Sequence, residues 1–82
     1  MEVEIKVRDL LKGIMNVEVD VNEIGMDDDL GEWGLNSTGV LELILNIEKQ
    51  FGLEFGDEDF DAANFQSIGG LINYIERKLS SN

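Results

Sequence analysis

Apolar residues recur at spacings of three and four in three separate stretches of the chain, and each stretch has the period of an amphipathic helix. The first sets Val3, Val7, Leu10, Leu11 and Ile14 on one face, with Lys6, Arg8, Asp9 and Lys12 on the others, which predicts a helix over 2–15. The second aligns Val40, Ile44, Ile47 and Phe51, with Leu43 beside them, and predicts a helix over 37–51 that stops at Gly52, the residue type best suited to a left-handed cap. The third repeats the spacing through Ile68, Leu71, Ile72, Ile75 and Leu79; Ser67 is placed to cap it, and its end is expected near Leu79. Gly69 and Gly70 in its first turn cost about 1 kcal/mol each relative to alanine, which a close helix contact would offset.

The connections are less regular. Residues 16–36 carry Asp, Asn, Glu and Gly between Val17, Val19, Val21, Ile24, Met26 and Leu30. The valine alternation resembles a strand, but a lone strand leaves its ladder groups unpaired. A loop pinned by its apolar residues is the expected form. In the second connection, Asp57-Glu58-Asp59-Phe60-Asp61-Ala62 allows at most a short helical turn, the third of four helices, with Phe55, Phe60 and Phe65 as inward anchors. The expected architecture is all-α: a small four-helix bundle of three longer helices and one short helix, with a long loop between the first and second. Residues 1–82 are expected to form one domain, with 80–82 a frayed tail.

Charge narrows the partners. Eighteen acids against six bases, with no histidine, give a formal net charge of −12. Such a surface repels nucleic acid and anionic membranes and suits basic protein surfaces. It also repels itself, so salt is expected to stabilise the fold. Without cysteine or histidine there is no disulfide, thiol nucleophile or Ser-His triad. The carboxylates are scattered over loops and form no evident acid-base pair, so no catalytic role is expected. No apolar run approaches the roughly 20 residues of a bilayer span, and residues 1–6 do not read as a signal peptide, so a soluble cytoplasmic monomer is expected.

The acidic loops invite a calcium reading, which the twelve-residue EF-hand pattern rejects. A window from Asp20 puts Ile24 at a ligand position and Gly31 where a bidentate Glu belongs. A window from Asp57 puts Ala62 at the turn glycine and Ile68 at the terminal Glu. No metal site is expected.

Trp33-Gly34-Leu35-Asn36-Ser37-Thr38 places a hydroxyl where a glycine-broken loop becomes the second helix. Unpaired N–H groups and the positive helix end favour a phosphate there, so Ser37 suits a phosphoserine ester. Capping by Asn36 or Ser37 accounts for the same residues. Leu41, Leu45 and Glu48 share the flank of Ser37, about 90° from the core stripe at 100° per residue. Either the two leucines broaden the core face, or they form an apolar strip edged by Glu42 and Glu48 that docks partners with basic rims.

Gly34-Leu35-Asn36-Ser37 resembles the Gly-Leu/Ala-Asp-Ser motif of the phosphopantetheine-binding carrier proteins. Asp27-Asp28-Asp29-Leu30 before it and Glu48-Lys49-Gln50-Phe51-Gly52 after it agree in order and spacing. The resemblance implies that Ser37 receives 4′-phosphopantetheine from coenzyme A through a phosphopantetheinyl transferase, and that the arm's thiol carries an acyl group as a thioester. It implies partner recognition by Asn36, Thr38, Leu41, Glu42, Leu45 and Glu48, and partners among acyl-transferring, condensing or adenylating enzymes. The implied setting is fatty-acid or related polyketide or lipid biosynthesis. Asn36 replaces the usual Asp, Thr38 the usual Leu or Met, and Lys49 a frequent acid. Asp59-Phe60-Asp61 through Phe65-Gln66-Ser67 is similar to D-alanyl carrier proteins, which keeps open an aminoacyl or peptidyl cargo loaded by an adenylating enzyme. An unmodified acidic helical adaptor is the alternative outside the carrier class.

Overall fold

Three helices carry the fold in the computed structural model, which describes residues 2–81. Helix α1 spans Glu2–Ile14, α2 spans Ser37–Phe51 and α3 spans Ile68–Ser81. Val7 and Leu11 of α1, Leu43, Ile44 and Ile47 of α2, and Ile68, Leu71, Ile72 and Ile75 of α3 meet in one core. Helix α1 lies against both others, whereas α2 and α3 make little direct approach. Gly52 ends α2 in the left-handed conformation, φ 66°, with its N–H bonded to Glu48 O. Helix α3 continues through Ser81, past the tail expected to fray from Ser80, and Asn82 lies outside the described residues.

The loop between α1 and α2 contains no strand and is held by named bonds. Arg8 Nη1 donates to the carbonyls of Val21 (2.6 Å) and Ile24 (2.9 Å), while its Nε pairs with Glu4 at 3.0 Å. Val21, Ile24 and Leu30 are buried, whereas Val17 is 96% exposed. Farther along, Leu30 N donates to Gln66 O at 2.8 Å and Gly69 N to Met26 O at 2.9 Å, stitching the loop to the start of α3. These contacts explain the paired glycines. A Cβ on Gly69 would stand 3.0 Å from Met26 O, and one on Gly70 2.7 Å from Ala63 O. The close neighbours are loop backbone rather than the helix that the sequence suggests.

Where the sequence predicts one short helical element, residues 57–64 make two 3-10 turns, Asp57–Asp59 and Ala62–Asn64. Short acidic side chains here bond to nearby backbone in preference to helix propagation. Asp59 Oδ2 accepts from Gly56 N at 2.9 Å and Asp61 Oδ1 from Ala63 N at 3.0 Å. The break also changes the aromatic anchors. Phe55 and Phe65 stack with ring centroids 5.7 Å apart, and both pack on Tyr74, at 4.9 and 6.0 Å. Tyr74 was not legible as a core residue, yet it is buried, while Leu79, expected on the core stripe, is 41% exposed. Phe60 is not an inward anchor. With the space behind it filled by the other rings, it sits at the edge, 56% exposed and 6.2 Å from Phe55.

Asp59 fastens this segment to α3. Its Oδ2 also accepts from Lys78 Nζ at 3.0 Å, and its carbonyl accepts from Asn64 Nδ2 at 3.1 Å. The Gly56 N–H, and after it the Lys78 ammonium, hold the Asp59 carboxyl below the usual carboxylate range. The Tyr74 hydroxyl beside it has no hydrogen-bond partner among the described residues. Burial first, then the Asp59 carboxylate, push that phenol above its ordinary range.

A carboxylate whose folded pKa lies below its unfolded value of about 3.9 contributes stability that is complete above that value and lost as pH falls through the folded one. Wild type should therefore lose more stability than Asp59→Asn between about pH 5 and pH 2 in urea titrations; equal acid sensitivity would contradict the assignment. The two glycine environments predict opposite signs. Gly70→Ala should lose about 1–3 kcal/mol by overpacking, whereas Gly13→Ala, whose new methyl meets nothing within 4 Å, should gain about 0.5–1 kcal/mol. Thermal or urea unfolding checks both.

Candidate functional site

The chain reaches α2 through a tight turn. Trp33 N and Leu35 N both donate to Leu30 O, at 3.1 and 3.0 Å, and Gly34 takes φ 106°, a value open to glycine and strained for other residues. Asp28 Oδ2 braces the approach, accepting from Gly25 N at 2.8 Å and Trp33 Nε1 at 3.3 Å. Asn36 follows in extended conformation as the N-cap, and its Oδ1 accepts from Gly39 N at 2.8 Å. Of the two residues able to cap, Asn36 takes the task.

Ser37 is therefore the first helical residue, exposed, and its hydroxyl has no partner among the described residues. The N–H groups of Ser37 and Thr38 also make no bond there, while that of Val40 begins the helical ladder on Asn36 O at 2.9 Å. An unpaired hydroxyl beside unpaired donors at a positive helix end suits a phosphate ester. Gly39 is buried because the loop folds onto it: a Cβ there would stand 2.7 Å from Leu35 Cδ1 and 3.3 Å from Ile14 Cγ2. Its close neighbours are thus internal to the fold.

On the flank of Ser37, Leu41 and Leu45 are 60% and 58% exposed, so they do not broaden the core face. Asn36, Thr38 and Glu42 are exposed on the same end and side of the helix. Glu48 differs. It is half-buried, and its Oε2 accepts from Phe55 N at 3.0 Å, fixing the chain as it leaves α2. Sequence spacing places Glu48 on the rim of the apolar strip, but nothing in the spacing reveals this structural bond.

A groove of about 420 Å³ opens beside Ser37, lined by that serine, Val40, Leu41, Ile44, Phe60, Ala62 and Phe65. Ala62 was not legible as part of the site; it arrives through the second 3-10 turn. Among the described residues, no group of three or more His, Cys, Asp or Glu is arranged to hold a metal, and no helix is long and apolar enough to cross a membrane.

Residues 5–75 match the family described as the phosphopantetheine attachment site. The chain is 36% identical to an acyl carrier protein of Porphyromonas gingivalis over 80 residues, covering 95% of this chain and 96% of that one. It is 37% identical to an acyl carrier protein of Solidesulfovibrio magneticus over 82 residues, with coverages of 95% and 96%. In structure it resembles holo acyl carrier protein from Nitrosomonas europaea, with a TM-score of 0.82, 27% identity and 98% of each chain covered. A chain in the crystal structure of an engineered Bradyrhizobium japonicum glycine:[carrier protein] ligase complexed with carrier protein from Agrobacterium tumefaciens and ATP is similar at TM-score 0.83 and 27% identity, covering 92% of this chain and 97% of that chain. The relatives are carriers rather than catalysts. The chain belongs to the acyl carrier proteins of the phosphopantetheine-binding family, and the match implies a covalently attached 4′-phosphopantetheine.

Proposed function

We propose that Ser37 is the attachment residue and that the chain carries acyl groups for enzymes of fatty-acid or related acyl biosynthesis in the cytoplasm. The observation that carries this reading is the division of roles at the start of α2: Asn36 caps, and Ser37 is left with a free, exposed hydroxyl. Ser37 Oγ bonds to the phosphorus of coenzyme A as the pyrophosphate P–O bond breaks. The adenosine bisphosphate half leaves with the electron pair, and the serine proton passes to a base of the transferase. When attached, the arm supplies a thiol that holds the cargo as a thioester, which explains why a chain without cysteine can act as an acyl carrier. The N–H groups of Ser37 and Thr38 are free to face the phosphodiester, and the helix end favours its charge.

Leu41 and Leu45, with Asn36, Thr38 and Glu42 around them, form the surface that partner enzymes read, and the −12 charge draws partners with basic rims. Glu48 contributes to the field of that surface while holding Phe55 N. An aminoacyl cargo is the second reading, favoured by the likeness to the chain in the glycine ligase complex. The mass of the thioester on protein recovered from its own cell separates the two.

Incubation with coenzyme A and a broad-specificity transferase should raise the intact mass by one phosphopantetheinyl group in wild type and not in Ser37→Ala. A gain retained in that variant would overturn the assignment. Asn36→Ala should lose about 0.5–2 kcal/mol with its capping bond, whereas Asn36→Asp should keep the cap, gain the attraction of a carboxylate for the helix end and melt no lower than wild type. A lower melting temperature for Asn36→Asp would contradict the capping geometry.

A further inference from the structure

Bases are scarce on this chain, and most are occupied. Of the six, Arg8 holds Glu4 and two loop carbonyls, and Lys78 pairs with Asp59. Arg77 donates to Asn64 Oδ1 and to the Asn73 carbonyl, and Lys6 Nζ lies over the Phe51 ring, 5.6 Å from its centroid. Lys12 and Lys49 are left exposed with no ion pair or hydrogen bond among the described residues, and of these two only Lys49 lies on α2.

The negative end of a helix favours a base in the last turn, but it does not fix which face the base takes. Lys49 falls four residues after Leu45 and seven after Glu42, so at 100° and 1.5 Å per residue the three stand in one row, about 10 Å long from acid to base, with the exposed leucine between. Leu41 adjoins the row one turn before Leu45. The acids nearest in sequence are directed elsewhere. Glu48 turns its Oε2 to Phe55 N, and Glu54, beyond the Gly52 turn, opens on a hollow that it shares with Glu58 and with Lys78 of α3. At the Ser37 end the sign is opposite: Asp27, Asp28, Asp29 and Glu32 are exposed in the loop that leads into the helix. The strip is therefore negative at the serine, apolar in the middle and positive at the far end.

Resting on the reading of Leu41 and Leu45 as the docking surface, we infer that Lys49 is a specificity-determining residue: the partner this face fits presents a base opposite Glu42, apolar groups opposite Leu41 and Leu45, and a carboxylate opposite Lys49. A rim that is basic along its whole length gains at Glu42 and is repelled at Lys49. Lys49 thereby selects against such partners. It also fixes the direction in which a suitable one lies on α2, since the reversed orientation sets base on base and acid on acid.

The probe is a broad-specificity phosphopantetheinyl transferase with a basic docking rim, assayed on wild type, Lys49→Gln and Lys49→Glu at low and high salt. Intact mass first reports whether the arm is accepted; failure there counts against the attachment reading. A KM that ignores both Leu41→Ala and Leu45→Ala counts against the docking surface itself. With those two results in hand, Lys49→Glu should lower KM up to about fivefold at low salt, and Lys49→Gln by less, with kcat unchanged and the difference lost at high salt. A folding defect would raise KM, which is the opposite sign. Glutamate is then placed at each basic position of the transferase rim in turn, and at least one such variant should lower KM for wild type while raising it for Lys49→Glu. A KM that responds to the leucines but not to Lys49→Glu, a KM that Lys49→Glu raises, or a rim scan with no such crossed preference would each overturn the inference.

Discussion

Everything at Ser37 depends on how the irregular connection between α1 and α2 satisfies its backbone. A stretch of about twenty residues with no strand and one short 3-10 turn, Val21–Glu23, must find partners for its buried N–H and C=O groups. It finds them at both ends of the core. Arg8 draws the Val21 and Ile24 carbonyls onto α1, and the Met26 carbonyl and Leu30 N–H bond to Gly69 and Gln66 at the start of α3. Leu30 then serves twice, because its own carbonyl receives the Trp33 and Leu35 N–H groups that turn the chain into α2. Asn36 is thereby delivered in the extended conformation that capping requires.

From that placement follows the separation of two tasks that one residue type often combines. A serine that caps its own helix has its hydroxyl engaged with backbone and less available to an incoming phosphorus. Here Asn36 supplies the acceptor for Gly39 N, and Ser37 stands one residue on with its oxygen unengaged. Gly39 completes the arrangement, since its missing side chain leaves room for the Leu35 and Ile14 methyl groups against the first turn. The uncharged Asn leaves the helix end more positive than an aspartate would, which favours the dianionic or monoanionic groups that approach it.

The helices and the Ser37 junction were legible in sequence because they rest on local periodicity and turn chemistry. Val40 through Phe51 read as a helix from spacing alone, and Gly52 as its stop. The exposed flank of Leu41 and Leu45 was legible as one of two alternatives, and only packing chose between them. What sequence did not reveal depends on long-range contacts. Gly69 and Gly70 read as a cost offset by a close helix contact, whereas their close neighbours, Met26 O and Ala63 O, are backbone atoms of other segments. The second connection read as a short helix because its acids are compatible with one, while Asp59 in fact bonds backward to Gly56 and across to Lys78. Phe60 read as an anchor because composition cannot tell which of three rings the core has room for.

That last point links the fold to the groove. Helix α1 packs on α2 and α3, but α2 and α3 hardly meet, so the space between them must be filled by the irregular segment that joins them. A third helical stripe there would have sealed α2 along its length. Two 3-10 turns present fewer apolar side chains, and Phe55, Phe65 and Tyr74 fill the gap with rings instead. Rings pack well against one another but leave a groove along α2 beside Val40, Leu41 and Ile44, which Phe60 and Ala62 border without closing. The groove beside Ser37 is thus a consequence of two short turns standing where a longer helix would seal α2. The same broken segment that departs from the regular bundle gives the exposed serine an apolar neighbour.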